Sequence, residues 1–243
     1  MRLVLVHAAA MTIELGRYPA YVVPTLLFPS VFFLLFAVPG SDRYATPEMA
    51  AFAGFGAIGV AFFQFGVGIA TERSSPWESF VRALPISVAA RLASRLISAA
   101  AFALAAAGLV VATALLTTDA HLPRTRWLEL AFVLLAGTIP CALLGTALGY
   151  WVPPRGALPI ANLLYLGLSY AGGLWFRPED LPGPVAAISP LLPTRALADA
   201  LWDVSTDSGG AAARTWFALL AFSVAFALLA AWGYRRDEGR RFR

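Results

Sequence analysis

Long apolar runs alternate along the chain with short segments that hold nearly all the charge. A helix rises about 1.5 Å per residue, so about 20 apolar residues cross about 30 Å of hydrocarbon. Six stretches meet that requirement: residues 20–38, 49–70, 96–116, 128–152, 158–176 and 215–234. The first carries Pro24 and Pro29, the second is rich in Gly, and the fourth is interrupted by Pro140. The first run also exceeds the roughly 7–15 residues of a signal-peptide core, and Val38-Pro39-Gly40 is a poor cleavage site. An uncleaved first helix is expected, in an all-α membrane protein with six transmembrane helices.

The connecting segments have patterns of their own. In residues 1–18, Leu3, Val6, Ala10 and Ile13 recur at spacings of three and four, with Arg2, Glu14 and Arg17 elsewhere. That is the signature of an interfacial helix lying along the membrane, which Pro19 then ends. In the segment after the second run, Ser75-x-x-Glu78 forms a capping box with Pro76 at the first helical position. Trp77, Phe80, Val81 and Leu84 fall at i, i+3, i+4 and i+7, and Pro85 stops the pattern. A short amphipathic helix over residues 76–84 follows. It either lies on lipid headgroups or fills a groove on a soluble partner. The connection 177–214 mixes Leu181, Ile188, Leu191, Leu197 and Leu201 with five prolines. Short helices dipping into the membrane, or lying on it, are expected there.

Charge orients the chain. Twelve arginines (Arg2, Arg17, Arg73, Arg82, Arg91, Arg95, Arg155, Arg235, Arg236, Arg240, Arg241, Arg243) flank the runs on the side of the N-terminus. Six (Arg43, Arg124, Arg126, Arg177, Arg195, Arg214) lie on the other. The positive-inside rule therefore places both termini in the cytoplasm, as an even span count requires. The same dispersal between apolar runs argues against a nucleic-acid partner.

Composition narrows the chemistry. The 243 residues are 59% hydrophobic and 13% charged, far from the balance of a water-soluble domain. All 18 basic residues are Arg, which excludes a Walker A phosphate loop and Schiff-base catalysis. One Cys and two distant His leave no metal cluster, so neither a metal nor a catalytic residue is expected. The interiors of the apolar runs contain no acidic or basic residue, which disfavours proton coupling. Glu129 is read as an interfacial partner of Arg126, and Asp199, Asp203 and Asp207 as a solvated face. Gln64, Asn162 and Tyr165 are the polar or aromatic side chains placed on a candidate substrate path. Interhelical hydrogen bonding between small-residue faces is the plainer alternative for Gln64 and Asn162.

Two motifs resemble those of the ABC-2 type permeases, the membrane subunits of bacterial ABC exporters. Glu72-Arg73 followed by Leu84-Pro85-Ile86-Ser87 is similar to that family's segment after the second span. Gly172-Gly173-Leu174-Trp175-Phe176-Arg177-Pro178-Glu179-Asp180-Leu181-Pro182, leading to Ser189-Pro190-Leu191-Leu192-Pro193-Thr194, is similar to its segment between spans five and six. Ser189 stands where an Asn is common, and Ser74–Glu78 replace the usual acidic-Gly-Thr run.

The resemblance implies an inner-membrane export permease that pairs with a second permease protomer, as a homodimer or heterodimer. It also implies a separate ABC ATP-binding subunit that holds ATP and Mg, with no cofactor on this chain. It makes residues 76–84 the coupling helix, with Glu72, Arg73, Trp77, Glu78, Phe80, Val81, Leu84 and Pro85 as the ATPase-coupling set. Phe176, Pro178, Leu181, Pro182 and Pro190 become a candidate outer gate. The apolar, aromatic spans suit a drug or lipid-like cargo, with a polysaccharide or glycolipid as the other possibility. A non-transporting membrane anchor or assembly protein is the competing class.

Overall fold

Within hydrocarbon no water is available to bond the backbone, so a single segment must satisfy its own N–H and C=O groups as a helix. The computed structural model describes residues 2–40, 44–76, 88–206 and 212–241, and among them every regular element is helical. The order is α1 (Arg2–Gly16), α2 (Pro19–Phe36), α3 (Ala45–Glu72), α4 (Val88–Thr117), α5 (Trp127–Gly137) and α6 (Ile139–Trp151). It continues with α7 (Pro154–Ala171), α8 (Gly183–Ile188), α9 (Pro193–Ser205) and α10 (Ala213–Arg241).

Among the described residues, α2, α3, α4, the α5–α6 pair and α10 are long and apolar enough to cross a membrane. The stretch expected to be the fifth span is a helix, α7, whose 18 residues reach about 27 Å. It falls outside that set of five. Pro154 starts it four residues earlier than the apolar run suggested. Gly172 and Gly173 end it five residues earlier, Gly173 at φ 83°, a left-handed conformation that a side chain disfavours. The fourth span is two helices that meet at Thr138, with Pro140 in the first turn of α6.

α3 is the centre of the bundle. Its apolar window is 83% buried, against 17% for α2 and for α10. A helix that is apolar all round belongs inside, and α3 packs against α2, α4, α6 and α9. Halfway along, residues Phe62–Val67 form a π turn, one residue wider than the α-helix around it. Gly145 and Gly149 of α6, spaced four apart, bring that helix's backbone against the turn.

Other expectations meet specific outcomes. The stripe Leu3, Val6, Ala10 and Ile13 of α1 is exposed, while the opposite side packs on α4, where the Ser94 hydroxyl donates to the Val4 carbonyl at 3.1 Å. Arg126 and Glu129 pair at 3.2 Å. In 177–214, α8 is largely exposed but α9 lies among α3, α5 and α10, with Leu197 and Leu201 fully buried. α3 and α4 extend past their apolar runs, so Glu48 enters the first turn of α3 and Arg95 becomes a buried residue of α4.

Candidate functional site

The end of α3 is where the chain leaves the bundle for residues 77–87. Glu72 is its last helical residue, and its carboxylate pairs with the guanidinium of Arg95 on α4. Arg73 follows at once. Its guanidinium meets the Asp237 carboxylate of α10 at 2.6 Å and donates to the Val152 carbonyl, just past α6, at 2.9 Å. Two adjacent residues thus tie the root of that segment to three other helices. The Arg73–Asp237 pair is mostly buried, at 17% and 11% side-chain exposure, where an ion pair is costly to break. Trp77, Glu78, Phe80, Val81, Leu84 and Pro85, and with them the helix expected over 76–84, lie outside the described residues.

Arg95 also reaches upward. Its second guanidinium nitrogen donates to the Gln64 carbonyl in the π turn at 2.5 Å. A π turn breaks the regular i→i−4 ladder, and this carbonyl takes an arginine donor. The Gln64 side chain is itself buried. Its amide nitrogen donates to the Tyr21 hydroxyl of α2 at 3.0 Å, while Oε1 has no hydrogen-bond partner among the described residues. So Tyr21, Gln64, Arg95 and Glu72 form one polar chain that runs from the bundle interior to the end of α3.

The other path candidates divide. Tyr165 of α7 is buried, stacked on Phe55 with ring centroids 4.6 Å apart and set edge-on to Phe63 at 5.7 Å. Asn162, one turn earlier, is half-buried and makes no side-chain hydrogen bond among the described residues. Gln64 therefore pairs with α2 and α4, whereas Tyr165 packs on α3 through its ring.

At the opposite end, the motif after α7 has a structural logic. The Thr194 hydroxyl donates to the Leu168 carbonyl at 2.6 Å, a second donor beside the Gly172 N–H that already closes the last turn of α7 at 2.8 Å. Gly172 leaves the room for that contact, since a Cβ there would overlap the Thr194 side chain. Trp175 then stacks on Phe36 at 6.1 Å, and Phe176 sits edge-on to the same ring at 5.8 Å. Pro178 opens a short 3-10 turn, Leu181 is buried, and Pro182 caps α8. Pro190 lies exposed in the turn before α9. The Arg177 guanidinium lies 4.3 Å over the Tyr44 ring, next to the start of α3. The segment named as an outer gate is thus clasped to α2 and α3 by aromatic and cation contacts.

The family model for the ABC-2 family transporter protein matches residues 39–232, well over half the chain. The chain belongs to the ABC-2 transporter family. This ABC-2 permease is also 23% identical, over 228 residues, to the "Putative transport permease YvfS" of Bacillus subtilis (strain 168). That similarity covers 91% of this chain and 93% of the relative. No solved structure matches it.

Sequence reasoning placed Glu72 and Arg73 in the permease's site but missed their partners Arg95, Asp237 and Tyr21. A signal for Arg95 existed. It falls on the same helical face as Ser98, Ala99, Phe102, Ala106 and Val110, all of them buried. A cation on a small-residue face points at a neighbouring helix. Replacing Arg95 by Leu should lower the stability of the ABC-2 permease in detergent by about 1–3 kcal/mol, because the Gln64 carbonyl and half-exposed Glu72 both lose the guanidinium. Lys should rescue only in part, since one ammonium lacks the fork that spans both acceptors. Thermal unfolding of the purified protein reads both outcomes, and a melting temperature unchanged by Arg95→Leu would remove Arg95 from the site.

Proposed function

We propose that this chain is the membrane-spanning subunit of an ATP-driven exporter that moves a hydrophobic or amphipathic, drug-like or lipid-like molecule out of the cytoplasm. ATP and Mg are held by a separate ABC ATP-binding subunit, and a second permease protomer completes the pathway. One observation carries the reading. The Glu72-Arg73 pair anchors the root of residues 77–87 to α4, α10 and the end of α6 at once. A push on that segment is transmitted to several helices together, as a coupling element requires.

In this reading α7 also crosses, which makes six spans. The even count and the twelve-to-six arginine bias then agree on cytoplasmic termini. α1 lies along the inner leaflet with its exposed Leu3, Val6, Ala10 and Ile13 in lipid. Residues 76–84 dock in the ATPase, and the segment from Phe176 to Pro190 gates the outer exit. α9 enters from that side as a re-entrant helix.

The test is reconstitution with the partner ATPase in liposomes. Trp77→Ala combined with Leu84→Ala should leave membrane insertion intact and reduce cargo-stimulated transport at least tenfold, while ATP hydrolysis continues. If the double variant transports like the wild type, residues 76–84 do not couple. If the wild type binds an ATPase but moves no hydrophobic cargo, the anchor or assembly reading replaces export.

A further inference from the structure

An arginine with no assigned role sits where α10 leaves the apolar part of the bundle. Leu220, Val224, Leu228, Trp232 and Arg236 are each four residues apart, and all are exposed. Side chains at that spacing lie one above another on a helix, so a continuous outward apolar seam ends on a cation. Arg236 does not point into water alone. Its guanidinium lies 4.7 Å over the ring of Trp151, and Trp151 packs edge-on to Trp232 at 4.6 Å. The Trp151 indole nitrogen donates to the Leu229 carbonyl at 3.3 Å, which fixes the ring that Arg236 covers.

Beside these side chains is a cleft between the end of α6 and α10, lined by Arg73, Tyr150, Trp151, Pro153, Arg236 and Asp237. The Asp237 carboxylate is engaged by Arg73 at 2.6 Å. Among the described residues no carboxylate pairs with Arg236. The cleft keeps a net positive charge, with Arg235 and Arg155 exposed close by in sequence.

We propose that this cleft binds the headgroup of an anionic phospholipid, with the phosphate between Arg236 and Arg73 and an acyl chain along Leu228 and Trp232. Two independent features select that occupant. A guanidinium fork matches phosphate oxygens and favours added negative charge. The apolar seam leads straight into the cation, and a free phosphate or a soluble anion makes no use of it. The tryptophan and tyrosine cluster at the helix ends is the composition found at headgroup depth. An arginine in contact with a bound headgroup favours an anionic lipid by about fivefold.

The experiment is native mass spectrometry of the full chain in detergent, titrated with phosphatidylglycerol, phosphatidylcholine or glycerol phosphate. Phosphatidylglycerol should bind at least about fivefold more tightly than phosphatidylcholine. Arg236→Gln should reduce that preference about fivefold. Arg214→Gln, at the far end of the same helix, should leave it unchanged. Among the described residues Arg236 forms no ion pair, and Arg236→Gln gives up only its contact with the Trp151 ring, so lipid-free melting should stay cooperative and close to the wild type, which assigns the lost preference to the site. Equal binding of the two lipids, or a preference untouched by Arg236→Gln, would overturn the proposal. Displacement by glycerol phosphate at the concentration of the lipid would reassign the cleft to a soluble phosphate.

Discussion

Arg73→Ala should be among the most damaging single substitutions in this chain, lowering stability by about 3–5 kcal/mol. The reason is what it leaves behind. Asp237 is 11% exposed, and the guanidinium 2.6 Å away is a cation that offsets its charge. The Val152 carbonyl loses its donor in the same step. Truncating one partner of a buried pair strands the other charge, which costs far more than the pair itself contributes. Asp237→Asn in the Arg73→Ala background should therefore recover a substantial part of the loss, because an amide carries no charge to strand. Thermal unfolding of the four proteins of this double-mutant cycle measures the coupling. Additive effects would show that the pair is not a unit. In the reconstituted transporter, the recovered double variant should still hydrolyse ATP but transport poorly, since the root of residues 77–87 no longer pulls on α10.

That experiment separates two roles that the geometry joins. A salt bridge at this position stabilises the fold, and it also fixes where the chain exits the bundle toward residues 77–87. Arg95 extends the same tie inward, through the Gln64 carbonyl to the π turn. Glu72 and Arg73 therefore do more than mark a motif. One reaches α4 and, through Arg95, the middle of α3; the other reaches α6 and α10. A displacement of the segment they anchor has a physical route into α3, α4 and α10.

How much of this was legible in the sequence follows from what each signal depends on. The apolar runs located every long helix, because crossing a hydrocarbon layer is a one-dimensional requirement that length and composition express directly. Helix ends were less readable. α4 begins at Val88, eight residues before its apolar run, since Arg91 and Arg95 are polar in composition yet helical in context. α7 ends at Ala171 because Gly173 takes a left-handed backbone, whereas the apolar run continues to Phe176. Partners were least legible. Glu72 and Arg73 were named from a local motif, but Asp237 lies 164 residues from Arg73 and no local pattern links them. The outer motif was recognised as a string, while its reason, Thr194 donating into the last turn of α7 beside Gly172, exists only in three dimensions. Tyr165 was chosen for its aromatic ring on a path; that ring is buried against Phe55.

Gly149→Val should rival Arg73→Ala in effect, for steric reasons instead of electrostatic ones. A Cβ at Gly149 would sit 2.8 Å from the Ile69 Cβ and 2.9 Å and 3.0 Å from the backbone oxygens of Phe65 and Gly66. Backbone oxygens of a packed helix cannot swing aside as a leucine tip can, so α6 must move away from α3. Overpacking of this kind costs about 1–3 kcal/mol and at times more, and a branched side chain belongs at the upper end. The move would also reshape the π turn, whose backbone oxygens face Gly149 and whose Gln64 carbonyl holds Arg95. Gly149→Val should consequently lower the melting temperature and weaken transport together, with Gly149→Ala intermediate. Gly108 on α4 supplies the contrast, since nothing lies within 4 Å of a Cβ placed there. Gly108→Ala should be neutral or stabilising by up to about 1 kcal/mol, through its better helix propensity alone. If both alanine variants melt alike, α6 does not pack on α3 through Gly149, and the small-residue seam at the π turn is not what holds the two helices together.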